Sequence, residues 1–242
     1  MKIDWVFFDA GNTLLGLNYR TLLDALAGEG FRVTEMALRR AEMSARRDLD
    51  RAILKRWSEG SVPLRGWVEE KVWLGFWRDV LALCGAGPGD VESLVGTVLN
   101  VTRPASSWDR VDSSTMPTLE TLASRGYRLG IISNSNGTLA HQMRRLGMAK
   151  RFEMIIDSSE VGVEKPHPEI FRMTLERAGG VAADRALYVG DVYAIDVLEA
   201  AGAGMHAMLF DPLGQHDPAT LPRGAPACRT LGSLAELTGL LG

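Results

Sequence analysis

Three aspartates and one lysine stand where short apolar runs give way to polar residues. Asp9 closes the run WVFF (Trp5–Phe8), and Asp191 follows ALYVG (Ala186–Gly190), with Asp196 shortly after it. Lys165 lies in VEKPHPEIF, just before a helix start marked by Pro166 and Pro168. A further polar cluster, SNSNG (Ser133–Gly137), ends the run RLGIIS. A carboxylate at the end of a buried strand is costly unless something needs it. Asp9, Asp191 and Asp196 bring three negative charges and Lys165 offsets one, an excess that a partly dry cleft cannot hold uncompensated. A divalent cation would close the gap, and Mg²⁺ suits carboxylates together with phosphate oxygens. Ser133 and the amides after it can donate hydrogen bonds to a phosphate. These residue types, in this order, point to phosphoryl transfer.

Such a site needs strands whose carboxyl ends converge, because ligands of a doubly wound sheet bind beyond those ends. The second half of the chain supplies them. Strand-like runs at RLGIIS (Arg128–Ser133), RFEMIID (Arg151–Asp157), ALYVGD (Ala186–Asp191) and MHAMLF (Met205–Phe210) alternate with helical patterns. The helices are expected over Gly137–Gly147, His167–Gly179, Ala194–Gly204 and Ser233–Leu241. This alternation predicts an α/β fold with a parallel sheet covered on both faces. Phe210–Pro226, rich in Pro and Gly, reads as a surface loop.

Residues 16–104 differ. Helical patterns run through Leu17–Gly30, Thr34–Trp57 and Glu69–Gly85 with no clear strand, so a helical insert is expected after the first strand. It holds Trp57, Trp67, Trp73 and Trp77, with Trp108 just beyond. These read as packing residues, some of which could line a pocket for a partly apolar substrate. The Arg-rich stretch Arg39–Arg56 is interleaved with Glu42, Asp48 and Asp50 and reads as a solvated helix face.

The ordered set FFDAGNTL, GIISNSNG, VGVEKPHPEIF and YVGDVYAID resembles the haloacid dehalogenase superfamily, over Lys2–Leu15 and roughly Trp108–Phe210. The resemblance implies a Rossmann-like core, residues 1–15 and 105–242, with a five-stranded parallel sheet in order 5-4-1-2-3. It also implies a helical cap, residues 16–104, that closes over the active site. Asp9 would be the nucleophile and form an aspartyl-phosphate. The Asp9 carboxylate, the Gly11 backbone carbonyl and Asp191 would hold Mg²⁺, with Asp196 behind them or bound through water. Thr13, Ser133 and Asn134 would contact the phosphoryl group, and Lys165 would offset its charge.

Gly11 departs from that pattern, since most phosphatases of the superfamily carry a second Asp there, which protonates the leaving oxygen. Glycine cannot, and general acid–base help is worth about 10² to 10⁴ in rate. Substrates whose leaving group needs no proton, acyl or aryl phosphates, are therefore favoured. His167 or a cap residue could supply the missing group.

The expected activity is Mg²⁺-dependent hydrolysis of a small phosphorylated metabolite. Three alternatives stay open. Phosphonoacetaldehyde-hydrolase-like C–P cleavage would use Lys55 or Lys71 as a Schiff base. A 2-haloacid dehalogenase would attack with Asp9 and need no metal, although Asp191 and Asp196 fit a metal site better. A binding protein on the same fold would have little reason to keep Asp9, Lys165 and Asp191 together.

Bulk properties narrow the partners. The chain has 242 residues, 46% hydrophobic, with net charge −3. It shows no basic run of the kind nucleic acids or anionic membranes need. Its two cysteines, Cys84 and Cys228, are far apart and in no metal-binding spacing. No signal-peptide pattern and no transmembrane run is visible. A cytoplasmic protein is expected, working as a monomer or homodimer.

Overall fold

Alternation along one strand explains how the core is built. In β1 (Trp5–Phe8) all four side chains are buried, Trp5 and Phe7 into one hydrophobic cluster, Val6 and Phe8 into another. A strand buried on both faces needs a continuous apolar run, as parallel sheets require. The computed structural model describes residues 2–59 and 70–242. The strands that follow are β2 (Arg128–Ser133), β3 (Met154–Asp157), β4 (Ala186–Gly190), β5 (His206–Phe210) and β6 (Arg229–Leu231). They form a six-stranded sheet in the order β3-β2-β1-β4-β5-β6, every pair parallel.

The expected order 5-4-1-2-3 is present, but a sixth strand extends it at the β5 edge. That strand has three residues and buries only Leu231, too little for a period-two pattern to register.

Register places the site. Phe8 lies level with Ile131 on β2 and with Val189 on β4. Asp9, Ser133 and Asp191 therefore emerge together at the carboxyl edge of the three central strands. Close packing holds them there: a Cβ on Gly130 would lie 2.6 Å from the Phe7 ring. One face of the sheet is covered by α5 (Thr115–Ser124), α6 (Leu139–Arg145) and α10 (Leu237–Leu240), the other by α8 (Glu169–Arg177). The short α7 (Ser158–Val161) follows β3 directly, and α9 (Leu198–Gly202) runs on from a wide π turn over Tyr193–Val197.

Between β1 and α5 the chain is helical: α1 (Tyr19–Gly28), α2 (Glu35–Ser58), α3 (Glu70–Leu83) and α4 (Val91–Thr102). These helices share a separate apolar cluster that includes Leu22, Leu38, Trp77, Val80 and Val98. Asn18 and Thr34 cap α1 and α2 by accepting backbone N–H groups from Thr21 and Ala37. The two passages between sheet and helices run side by side: Gly16 N–H donates to the Arg110 carbonyl at 2.6 Å, and Asn18 N–H to that of Ser107 at 2.7 Å. Trp67 and the side chain of Lys71 lie outside the described residues.

Candidate active site

Asp9 is anchored by its own backbone, whose N–H donates to the Val189 carbonyl at 2.8 Å. The chain then turns sharply. Leu14 and Leu15 both donate to the Ala10 carbonyl, and Asn12 takes a left-handed conformation at φ 58°, which asparagine tolerates better than most residues. Asp9 is 6% exposed, and Oδ1 carries its two side-chain contacts, from Lys165 Nζ at 2.6 Å and Ser133 Oγ at 3.1 Å.

Lys165 is the hub of the site. It is 2% exposed, and its ammonium also donates to Asp196 Oδ1 at 2.7 Å and to the Tyr188 hydroxyl at 2.8 Å. All three N–H bonds of the ammonium are thereby used. Its main chain is held as firmly. The Asn134 amide donates to the Lys165 carbonyl at 2.8 Å and accepts from the Lys165 N–H at 2.8 Å. The Asn134 side chain, expected to meet a phosphate, thus positions the lysine.

Gly190 lets Asp196 reach that ammonium. A Cβ there would lie 2.3 Å from the Asp196 carboxyl carbon, a distance that real atoms do not share. The other Asp196 oxygen accepts from the Val192 N–H at 3.0 Å. The loop after β2 is held by Asp157 at the end of β3, which accepts from the backbone N–H of Gly137 at 3.0 Å and of Leu139 at 3.3 Å.

Asp191 meets a partner that the sequence reading missed. Arg46 of α2 donates to Asp191 and also to Glu42, which in turn accepts from the Tyr19 hydroxyl. One turn further along α2, Asp50 Oδ1 accepts from the Ala194 N–H at 2.7 Å. The expectation of a solvated face over Arg39–Arg56 is therefore corrected. Arg47, Asp48, Arg51 and Lys55 are exposed, but Glu42, Arg46 and Asp50 share the stripe of Leu38, Ala45, Leu49 and Ile53 that faces the rest of the protein. The signal was available in the spacing: charges at i, i+4 and i+8 on an apolar stripe are directed inward.

Charge is under-compensated here. Burial drives the Asp9 carboxyl upward, with Lys165 opposing it. Asp191 is pushed up to about 8, by burial first, against the pull of Arg46 and with Asp9 and Asp196 adding to the rise. Lys165 is lowered by burial, but Asp196 and Asp9 outweigh this and hold it above the ordinary lysine value. Three carboxylates thus face two cations, Lys165 and Arg46. Asp9, Asp191 and the Gly11 carbonyl carry oxygen donors of the kind a hard divalent ion takes. Among the described residues no group of three or more acidic, His or Cys side chains is placed to hold a metal ion.

A cavity of about 440 Å³ opens onto Asp9, Gly11, Ser133, Asn134, Lys165, Asp191 and Asp196. Thr13 lines a neighbouring cavity instead, with its hydroxyl buried and without a hydrogen-bond partner. His167, offered as a substitute acid, lies outside both cavities and accepts the Glu169 N–H at the start of its own helix. Among the described residues no helix is long and apolar enough to cross a membrane.

Known proteins resemble this chain in sequence and in fold. The chain is 31% identical over 170 residues to the zebrafish (Danio rerio) haloacid dehalogenase-like hydrolase domain-containing protein 3, covering 70% of this chain and 68% of that one. It is 42% identical over 101 residues to the glyceraldehyde 3-phosphate phosphatase of Methanothermobacter thermautotrophicus, covering 40% of this chain and 43% of that one. The fold also matches the magnesium-bound HAD-hydrolase YfnB of Bacillus subtilis, with a TM-score of 0.71 at 17% identity, over 100% of this chain and 99% of that one. The sequence profile of haloacid dehalogenase-like hydrolases matches residues 3–204. With the sheet order, the four strand-end clusters and this match in agreement, the chain belongs to the haloacid dehalogenase-like hydrolase family.

Proposed function

We propose that this hydrolase is a Mg²⁺-dependent phosphatase of a small cytoplasmic metabolite, acting through an aspartyl-phosphate on Asp9. One observation carries the reading: both side-chain bonds to Asp9 fall on Oδ1, from Lys165 and Ser133, which leaves Oδ2 for attack beside Gly11. Phosphatases among the relatives support it.

Lys165 and Ser133 favour the ionised form of Asp9 against its burial and fix its rotamer. Oδ2 attacks phosphorus and the bond to the leaving oxygen breaks. Water then releases inorganic phosphate and restores the carboxylate. Asp9, Asp191 and the Gly11 carbonyl would hold Mg²⁺, which supplies charge neutralisation for the phosphoryl oxygens. Asp196, Tyr188 and Asn134 position Lys165. The helices of residues 16–104 serve as the cap, since α2, α3 and α4 contribute Arg46, Leu49, Trp73, Trp77 and Leu99 to the cavity that holds Asp9.

The test is phosphate release from acetyl phosphate and p-nitrophenyl phosphate with and without Mg²⁺, alongside Asp9→Asn. Metal-dependent release that the substitution abolishes supports the reading. Metal-independent release of halide from a 2-haloacid would replace it with the dehalogenase.

A further inference from the structure

The site lacks a side chain where the superfamily resemblance places its proton donor, and an aromatic ring lies beside that position. A Cβ on Gly11 would lie 3.6 Å from the six-membered ring of Trp108, ordinary van der Waals contact. The Trp108 indole N–H is already used, donating to the Thr102 carbonyl at 2.8 Å, so the ring offers the cavity only its hydrocarbon face. Trp73, Phe76 and Trp77 of α3 add to the same wall as a ladder of edge-to-face rings, with centroids 5.5 and 5.2 Å apart. Trp73 is 41% exposed, which is unusual for so large an apolar side chain at a cavity wall.

Two demands on a substrate follow. Its leaving oxygen must depart without a proton from position 11. The group on that oxygen must also favour an aromatic surface over water. A phenol meets the first demand, ionising at about 10 like the tyrosine side chain. An aliphatic alcohol does not, since it holds its proton about as tightly as water, at about 16. Flat rings meet the second demand by stacking or edge-to-face contact.

We propose that this site takes aryl phosphate monoesters, the ring seated against the aromatic lining of Trp108 and α3 and the phosphate at Asp9. The proposal rests on the phosphatase reading above. Asp9 forms a bond to phosphorus, the aryl P–O bond breaks, and the aryl oxide leaves with the electron pair. Water then attacks phosphorus, the bond to Asp9 breaks, and solvent protonates the aryl oxide.

The experiment compares kcat/KM for p-nitrophenyl, phenyl and glycerol phosphates, with acetyl phosphate as a small substrate that also needs no proton. Phenyl phosphate should exceed glycerol phosphate by about 10² or more, the value of one missing acid. Gly11→Asp, whose Cβ would make only ordinary contacts, should narrow that gap by raising glycerol phosphate. Trp108→Leu and the more exposed Trp73→Ala should raise KM for phenyl phosphate about three- to tenfold, the worth of an aromatic pair, and raise it less for acetyl phosphate. Equal rates on phenyl and glycerol phosphates, or equal effects of the tryptophan variants on phenyl and acetyl phosphates, would overturn the aryl assignment and leave the phosphatase standing. Silence on all four substrates with Mg²⁺ would overturn both.

Discussion

Arg46 of the helical insert and Asp191 at the tip of β4 form an ion pair across the two parts of the molecule, and this pair forms part of the wall of both cavities. Arg46 stands where a cation is wanted, because Asp191 has burial against it and two other carboxylates nearby. A metal ion held by Asp191, as proposed above, would compete with the guanidinium for that carboxylate. Arg46→Gln should bind Mg²⁺ about tenfold more tightly, as loss of roughly 1.4 kcal/mol of competing interaction would give. Calorimetric titration of the metal checks this without reference to turnover. Unchanged or weaker binding would show that Arg46 does not compete.

Lys165 is enclosed by Asp9, Asp196 and Tyr188. Lys165→Met leaves two buried carboxylates without their ammonium, at a cost of about 3–5 kcal/mol. Burial already raises the Asp9 carboxyl, and without the ammonium that opposes it Asp9 takes up a proton more readily. The loss should therefore be smaller at pH 5 than at pH 8. Urea unfolding at the two pH values measures it.

Gly190 is a steric requirement of the site. Gly190→Ala would drive a methyl into the Asp196 carboxylate, and either β4 or the π turn must move. A loss of about 1–3 kcal/mol, the usual cost of overpacking, is expected. Turnover should fall further than stability predicts, because Asp196 holds Lys165. Thermal unfolding and kcat measured on the same preparation separate the two effects.

Asp50 gives a pH prediction away from the reacting atoms. Burial raises its pKa to about 6, against the hydrogen bonds from Ala194 and Tyr193. The folded protein then binds a proton that the unfolded chain has lost, so this residue's contribution to stability declines as pH rises from about 4 to 6. Asp50→Asn keeps an acceptor for the Ala194 N–H and removes the charge. It should stabilise the protein at pH 7–8 by about 1–3 kcal/mol and flatten the profile over that window. Denaturant midpoints from pH 4 to 8 provide the check.

The sheet was legible because continuous apolar runs ended in polar clusters, and a parallel strand buried on both faces requires that pattern. Asp9, Ser133, Asp191 and Asp196 could be picked out for the same reason, each standing at or shortly beyond such an end, and Lys165 by preceding a helix start marked by two prolines. β6 was not legible, since three residues with one buried side chain carry no period. Arg46 was not legible as a site residue either, because a helical stripe shows only which residues share a face, not what that face meets.

By itself, the sequence determined the fold class, the helical insert and the absence of a side chain at position 11, because each is a property of local pattern or residue type. Tertiary structure alone decided that Arg46 pairs with Asp191, that Asn134 holds the Lys165 backbone, that Thr13 lines a second cavity, and that the Trp108 ring lies beside Gly11. Those assignments depend on distances between segments far apart in the chain, and spacing along the sequence does not specify such distances.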